Sequence, residues 1–226
     1  MKIQLSNIPK TAFVTHYGQY EFSVMSFGLT NALAYFMNLI NKVFMEELNK
    51  FVVVFIDDIL IYSWSVEEHE QHLRVILKML PAHELYAKFN KCEFWLQQVT
   101  FLGHIITADG VKVDPKKVKV VSEWKQPTNV IEFHSFLGLA VYYRRFIEGF
   151  SKIARPMTAL TQKGKKFKWT NACEKRFQEL KTRLTTSPIL MLPDIHTSFI
   201  VYCDASRQGL GCVLMQDDKV VAYASR

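Results

Sequence analysis

The sequence predicts an α+β chain, and three observations carry that reading. Strand-like and helix-like stretches alternate through the first hundred or so residues, helical spacing dominates from Asp114 to Leu184, and strand patterns return after Ser198.

Taken in order, Thr11 to Val24 reads as two strands around the turn signal Tyr17-Gly18-Gln19. Between Thr30 and Leu48, apolar residues recur at Leu33, Phe36, Met37, Ile40, Val43, Phe44 and Leu48, the spacing of one helix face. The apolar runs Phe51–Ile56 and Ile59–Tyr62 are rich in β-branched and aromatic residues, and only Asp57-Asp58 separates them, which predicts a tight hairpin. Ser65 and Glu68 have capping-box spacing and open a helix continued by Leu73, Ile76, Leu77 and Leu80, with Pro81 expected to kink or shorten it. Strands are expected near Phe94–Trp95 and over Val99–Thr107, with a turn at Asp109-Gly110. Asp114-Pro115 is an N-cap followed by proline at the first helical position. A helix from about Asn129 to Ile147 would turn Phe133, Phe136, Leu137 and Ala140 inward, and Thr170 would cap another carrying Cys173, Phe177, Leu180 and Leu184. The stretch 162–168 reads as a basic connector, and the last strands are Phe199–Ala205, Leu210–Gln216 and Val220–Ala224.

With 226 residues, 49% of them apolar and 22% charged, the chain has an ordinary globular composition that argues against disorder. No apolar run is long enough to span a bilayer as a helix, and no apolar stretch follows Met1-Lys2 to serve as a signal peptide. The four cysteines, Cys92, Cys173, Cys203 and Cys212, are scattered without a CxxC pair, which fits reduced thiols better than a disulfide framework or a zinc site. The net charge of +7 is unevenly distributed. From Lys112 to Arg183 there are 17 Lys or Arg against 6 Asp or Glu, while the rest of the chain carries a small acidic excess. A segment of that kind suits a phosphate backbone, whose neutralisation releases condensed counterions; it equally suits a lysine-rich solvated surface.

Chemistry concentrates at Phe55-Ile56-Asp57-Asp58. Adjacent carboxylates at the tip of an apolar hairpin repel each other unless something positive lies beside them, and hard divalent cations with oxygen ligands would serve. Taken alone, the pair reads more readily as an acidic turn. Upstream, Phe22 to Ala32 is a glycine-containing loop leading into a helix, an arrangement that admits a nucleotide close to the backbone. His69 and His72 lie three apart on a helix with no third ligand at matching spacing, so a solvated helix face is the reading. The cluster Phe133, Phe136, Tyr142, Tyr143 and Phe146 favours core packing for the phenylalanines, whereas base stacking stays open for the tyrosines beside Arg144-Arg145.

The segments Ile8–Phe13, Phe27-Gly-Leu-Thr-Asn-Ala32, Val54–Ser63, Ala87–Cys92, Phe101-Leu-Gly-His104, Val113–Lys117, Ser135–Leu139, Tyr142-Tyr-Arg-Arg-Phe146 and Tyr202-Cys-Asp-Ala-Ser206 closely resemble the gypsy-like LTR-retrotransposon reverse transcriptases, in order and along essentially the whole chain. The resemblance implies a reverse transcriptase palm over 1–108, a helical thumb and connection over 109–168, and a partial RNase H-like domain over 169–226. It implies an RNA-directed DNA polymerase with an associated RNase H, using Mg²⁺ or Mn²⁺, with RNA template, DNA primer, RNA–DNA hybrid, dNTP and the remainder of a Pol polyprotein as partners, and no membrane. Asp57 and Asp58 then match metal-binding catalytic carboxylates, Asp204 the first RNase H carboxylate, and Phe27 and Gly28 the loop lining the incoming nucleotide. Phe101, Leu102 and Gly103 match the turn that holds the primer end, and Arg144 and Arg145 belong to the stretch that grips primer–template. Lys88 and Lys91 lie beside the nucleotide pocket without an assigned role.

The resemblance also implies absences. The family's other palm Asp would precede Ile8–Phe13, placing it and the fingers upstream of Met1, and the later RNase H carboxylates would follow Arg226. Ser26 and Leu33 stand where the family usually has proline. The expectation for this chain alone is therefore neither polymerisation nor hybrid cleavage, and the rival reading is a nucleic-acid-binding remnant. An open sheet edge is expected beyond Val220–Ala224. In the intact element the protein would be cytoplasmic, within virus-like particles.

Overall fold

Apolar spacing and turn chemistry produce ten strands and six α-helices over the described residues. The structure, a computed structural model, describes residues 2–226 apart from Phe27, Lys163, Lys165 and Gln208, and divides into two units, Met1–Glu93 and Phe94–Arg226.

The first unit opens with a 3-10 turn, Leu5–Thr11, and an exposed hairpin of Phe13–Thr15 (β1) and Gly18–Tyr20 (β2). The Thr11 hydroxyl accepts from the Phe22 amide at 2.9 Å, and the Phe13 and Phe22 rings stack 4.9 Å apart. The helix α1 (Ala32–Val43) is followed by β3 (Val52–Phe55), β4 (Asp58–Ile61) and α2 (Val66–Ala82). Ile40, Val43 and Phe44, at the C-terminal end of α1 and just beyond it, meet Val52 and Val54 of β3 and Ile76 and Leu80 of α2 in one buried cluster. The expected cap at α2 forms with a shift of one residue: Ser65 Oγ accepts from the Glu68 amide at 3.1 Å, while the Glu68 carboxylate accepts from the amide of Trp64, just before the N-cap, at 2.9 Å. Pro81 lies in the last turn and α2 ends one residue later, so the proline shortens the helix as expected.

The second unit begins with a meander, β5 (Gln98–Phe101), β6 (His104–Thr107) and β7 (Gly110–Val113). The single strand expected over Val99–Thr107 is therefore two, because Leu102 and Gly103 both adopt positive φ, 49° and 69°, the signature of a two-residue hairpin turn. No strand forms at Phe94–Trp95. Gly110 has φ 137° beside the Leu190 carbonyl, and a Cβ there would overlap that backbone; Val111 and Leu190 exchange two amide bonds at 2.7 and 2.9 Å.

Then come α3 (Pro115–Ser122), α4 (Val130–Tyr142), α5 (Phe150–Thr158) and α6 (Asn171–Thr185), with Asp114, Asn129 and Thr170 each accepting a first-turn amide. The helix expected to reach Ile147 ends at Tyr142 and passes into a 3-10 turn, Arg144–Phe146. Phe133, Phe136, Phe146, Met157, Phe177 and Leu180 form the centre of the core, with Phe136 and Phe177 ring centroids 4.6 Å apart. An aromatic pair of that kind contributes about 1 kcal/mol beyond the area it buries.

The chain ends in a second meander, β8 (Ile200–Ser206), β9 (Gly209–Gln216) and β10 (Lys219–Ser225), in spatial order β10-β9-β8. Buried Gln216 ties β9 to the preceding loop, accepting from the Asp194 amide at 2.8 Å and donating to the Asp194 carbonyl at 2.7 Å. The open edge is not β10 as the sequence suggested. Ser225 bonds both the amide and the hydroxyl of Ser151 on α5, and Val221 is buried, so β10 is covered. All seven residues of β8 are exposed instead. No helix among the described residues is long and apolar enough to cross a membrane.

Candidate active site and nucleic-acid interface

The carboxylate pair stands at the hairpin tip. Phe55 pairs with Asp58, so the loop is Ile56-Asp57 and Asp58 begins β4, one residue earlier than the sequence pattern placed the turn. Both carboxylates are exposed while Val52 and Val54 beneath them are buried, so an apolar base presents two acidic groups to solvent. Ile56 has φ 53°, a left-handed conformation that a β-branched residue adopts only under strain. Its amide donates to the Met37 sulfur of α1 at 2.7 Å, which ties the helix to the turn. Strain of this kind, held by a neighbouring element, is typical of functional sites.

Gly28 lies in the turn before α1 with φ 95° and no neighbouring atom where a Cβ would stand; Phe27 lies outside the described residues. Lys88 precedes the 3-10 turn Phe89–Lys91 and Lys91 ends it, and both are exposed. His69 and His72 do not form a solvated face. Both are half-buried, with their Nδ1 atoms 3.1 and 2.8 Å from Ser63 Oγ, and the His72 ring stacks on Phe51 at 3.8 Å. Among the described residues no group of three His, Cys, Asp or Glu is placed to hold a metal.

In the second unit, the turn at Leu102-Gly103 is held from α4, forty positions along the chain. The Tyr142 hydroxyl donates to the Leu102 carbonyl at 2.5 Å, and the Tyr143 hydroxyl donates to the Gly103 carbonyl at 2.7 Å. A Cβ on Gly103 would stand 2.9 Å from the Tyr143 hydroxyl oxygen, so glycine is needed both for its φ and for this approach. Tyr143 is buried, and burial, with the neighbouring Tyr142 and Asp114 charges, pushes its hydroxyl up to about 12. It is a core residue rather than a stacking platform, while Tyr142 remains half exposed. His104 Nδ1 lies 2.8 Å from the Leu102 carbonyl, and its ring stacks on Phe146 at 5.7 Å. Burial lowers its pKa, the Leu102 carbonyl opposes that, and the Arg145 charge lowers it further.

Arg144 and Arg145 differ. Arg144 is exposed, whereas Arg145 is half-buried with its guanidinium 5.4 Å from the Phe146 ring centroid, and burial lowers its pKa. Lys116, Lys117, Lys119, Lys125, Lys152 and Lys175 are exposed, so the basic excess is largely a surface property. Arg176 and Arg183 both pair with Glu179, at 2.6 and 3.9 Å. Asp204 sits on β8 opposite Gly211, exposed like the rest of that strand.

Sequence reasoning missed the tyrosine clamp, the Ser63–histidine bonds and the approach of Cys203 to Cys212, whose sulfurs lie 3.0 Å apart. The cysteines carried one legible signal, namely that each lies inside a predicted strand of a tight meander. The clamp carried none, because nothing local in sequence links Gly103 to Tyr143.

A carboxylate-tipped hairpin between two helices, then a meander, a helical segment with a basic surface and a second meander, define the architecture of a reverse transcriptase followed by an RNase H-like region. Known proteins of the same kind agree with it. The reverse transcriptase (RNA-dependent DNA polymerase) family matches residues 2–106, and the RNase H-like domain found in reverse transcriptase matches residues 169–226. The chain belongs to the reverse transcriptase–RNase H region of retrotransposon Pol polyproteins. It is 41% identical to the Retrovirus-related Pol polyprotein from transposon opus and 35% to that from transposon gypsy, both of Drosophila melanogaster, over 98% and 96% of its length. A Transposon Tf2-3 polyprotein of Schizosaccharomyces pombe is 34% identical over 97% of the chain. The chain spans 24%, 22% and 17% of those relatives. Among solved structures, the foamy viral protease-reverse transcriptase in complex with RNA/DNA hybrid matches with TM-score 0.86 and 26% identity, over all of this chain and 31% of that one. The same viral enzyme in complex with dsDNA matches with TM-score 0.83 and 25% identity, over all of this chain and 48% of that one.

Proposed function

We propose that this chain supplies part of an RNA-directed DNA polymerase: palm over 1–108, thumb and connection over 109–168, and the opening of an RNase H domain over 169–226. The observation that carries the proposal is the pair Asp57 and Asp58, exposed on a strained turn above a buried apolar base. Their oxygen donors suit Mg²⁺ or Mn²⁺. Divalent cations bound there would neutralise charge on the attacking and leaving oxygens when a primer 3′-hydroxyl displaces pyrophosphate from a dNTP.

The chain's own residues do the rest by position. Gly28, with Phe27, lines the incoming nucleotide, and the turn Phe101–Gly103, fixed by Tyr142 and Tyr143, seats the primer end. Arg144 and the exposed lysines hold phosphates of an RNA–DNA hybrid, with Arg145 buttressing the turn beside them. Asp204 serves as one carboxylate of the RNase H site. Binding alone is the second reading, favoured by the exposed basic surface, which requires no metal.

The test is dNTP incorporation on an RNA template, with the chain in its polyprotein context. Asp57→Asn and Asp58→Asn should each lower incorporation about a hundredfold or more while leaving primer–template binding within about twofold. Undiminished incorporation in either variant would refute the assignment. Binding without incorporation in every form, wild type included, would select the second reading.

A further inference from the structure

Cys203 and Cys212 occupy directly paired positions on β8 and β9, and their sulfurs are 3.0 Å apart. Cross-strand partners lie about 4.5–5.5 Å apart at Cα, within the span a disulfide bridges. The gap between this sulfur separation and a bond of about 2.05 Å closes by small side-chain rotations without backbone movement. Both thiols are free, Cys203 is exposed, and Cys212 lines a shallow depression of about 130 Å³ with Leu210, Ala224 and Ser225. A small oxidant therefore reaches both. The remaining two thiols are unlike this pair, since Cys173 is buried in the core and Cys92 lies in the other unit.

We propose that Cys203 and Cys212 form a dithiol modification site, which a hydroperoxide converts to an intrachain disulfide stapling the open edge strand β8 to β9. The Cys203 thiolate, having released its proton, attacks one peroxide oxygen, and the O–O bond breaks as hydroxide leaves, giving a sulfenic acid. The Cys212 sulfur attacks that sulfur, the S–O bond breaks, and the departing hydroxide leaves as water with the Cys212 proton. In sum, two thiols lose two electrons and two protons, and one hydroperoxide becomes two waters when hydrogen peroxide is the oxidant. Cys203 is the more exposed of the two thiols, so it meets the oxidant first.

The staple acts next to the carboxylate of that strand. Side chains alternate along β8, so Asp204 points to the sheet face opposite Cys203, and the disulfide leaves it accessible. What changes is the freedom of β8, which is the edge strand of its sheet, pairs with β9 and has every residue exposed.

Treatment of the 226-residue chain with hydrogen peroxide, followed by alkylation and peptide mapping, tests the proposal. The expected product is a monomer lighter by two hydrogens, about 2 Da, with Cys203 linked to Cys212 and full recovery by dithiothreitol. In the linked form, β8 amides should exchange about tenfold to a hundredfold more slowly, as expected for closing so short a loop. Cys203→Ser and Cys212→Ser should each abolish the link, and Cys92→Ser should leave it intact. A sulfinic or sulfonic product without the link, a bond to Cys92, or dimers as the main product would overturn the proposal.

Discussion

Replacing Tyr143 with phenylalanine isolates the clamp on the Leu102-Gly103 turn. The substitution keeps a ring that is 1% exposed and removes only the hydroxyl that donates to the Gly103 carbonyl at 2.7 Å. That carbonyl's other partner is the Asp114 amide at a long 3.4 Å, so the change strands a half-buried acceptor. Such a deletion should cost about 1–2 kcal/mol. Tyr142→Phe is the internal control. The Leu102 carbonyl keeps His104 Nδ1 at 2.8 Å and the site is half open to water, so about 0.5 kcal/mol or less is expected. Urea unfolding followed by tryptophan fluorescence reads the difference, because Trp124 and Trp169 pack on the second unit's core. The midpoint should fall for Tyr143→Phe with unchanged slope. There is a pH signature as well. The folded hydroxyl titrates at about 12 against an ordinary 10.0, so its contribution is complete below 10.0 and is lost as pH rises toward 12. Tyr143→Phe should flatten that alkaline limb. Equal costs for the two variants, or an unchanged alkaline limb, would refute the clamp.

Three further outcomes follow. His104 has a folded pKa below its ordinary 6.5, so its neutral form contributes stability above 6.5 that is lost as pH falls through the folded value; His104→Gln should remove that part of the acid limb in a melting-temperature series. Phe136→Ala, deleting a fully buried ring, should cost about 3–5 kcal/mol in the same urea assay, whereas Tyr35→Ala on half-exposed α1 surface should cost far less. Arg144→Ala should flatten the log–log salt dependence of RNA–DNA hybrid binding by about 0.9 for each phosphate it no longer neutralises, read by fluorescence anisotropy, while Arg145→Ala should lower thermal stability as well because its side chain packs on Phe146.

Local signals were legible wherever the deciding physics was local. The capping residues Ser65, Asp114 and Thr170 all accept the amides that their positions foretold, and Asn129, read only as the start of a helix, does the same. The hairpin under Asp57-Asp58 was read from β-branched content, yet its turn came out one residue early because Ile56, a poor choice for positive φ, is held there by Met37 from α1. In the residue pattern Leu102-Gly103 hid inside an apolar run, since leucine at positive φ has no sequence signature, and only the family resemblance marked a turn there. Helix α5 went unread although Phe150, Ile153, Ala154 and Met157 have clear helical spacing; Pro156 and the surrounding basic residues masked it. Which sheet edge is covered depended on Ser151 meeting Ser225, a pairing seventy-four positions apart that no local pattern encodes. The carboxylates themselves were visible from the start. What the sequence could not supply was the distinction between Arg144 in solvent and Arg145 against Phe146.

If Asp57 and Asp58 form a divalent-cation site, Mn²⁺ binding followed by electron paramagnetic resonance will register it. With dNTP and primer–template present, the wild-type chain should retain bound Mn²⁺ that Asp57→Asn/Asp58→Asn loses, its affinity falling about tenfold or more, while Asp109→Asn, a lone exposed carboxylate, changes nothing. Equal Mn²⁺ binding by the wild type and the Asp57→Asn/Asp58→Asn chain would show that these carboxylates hold no cation.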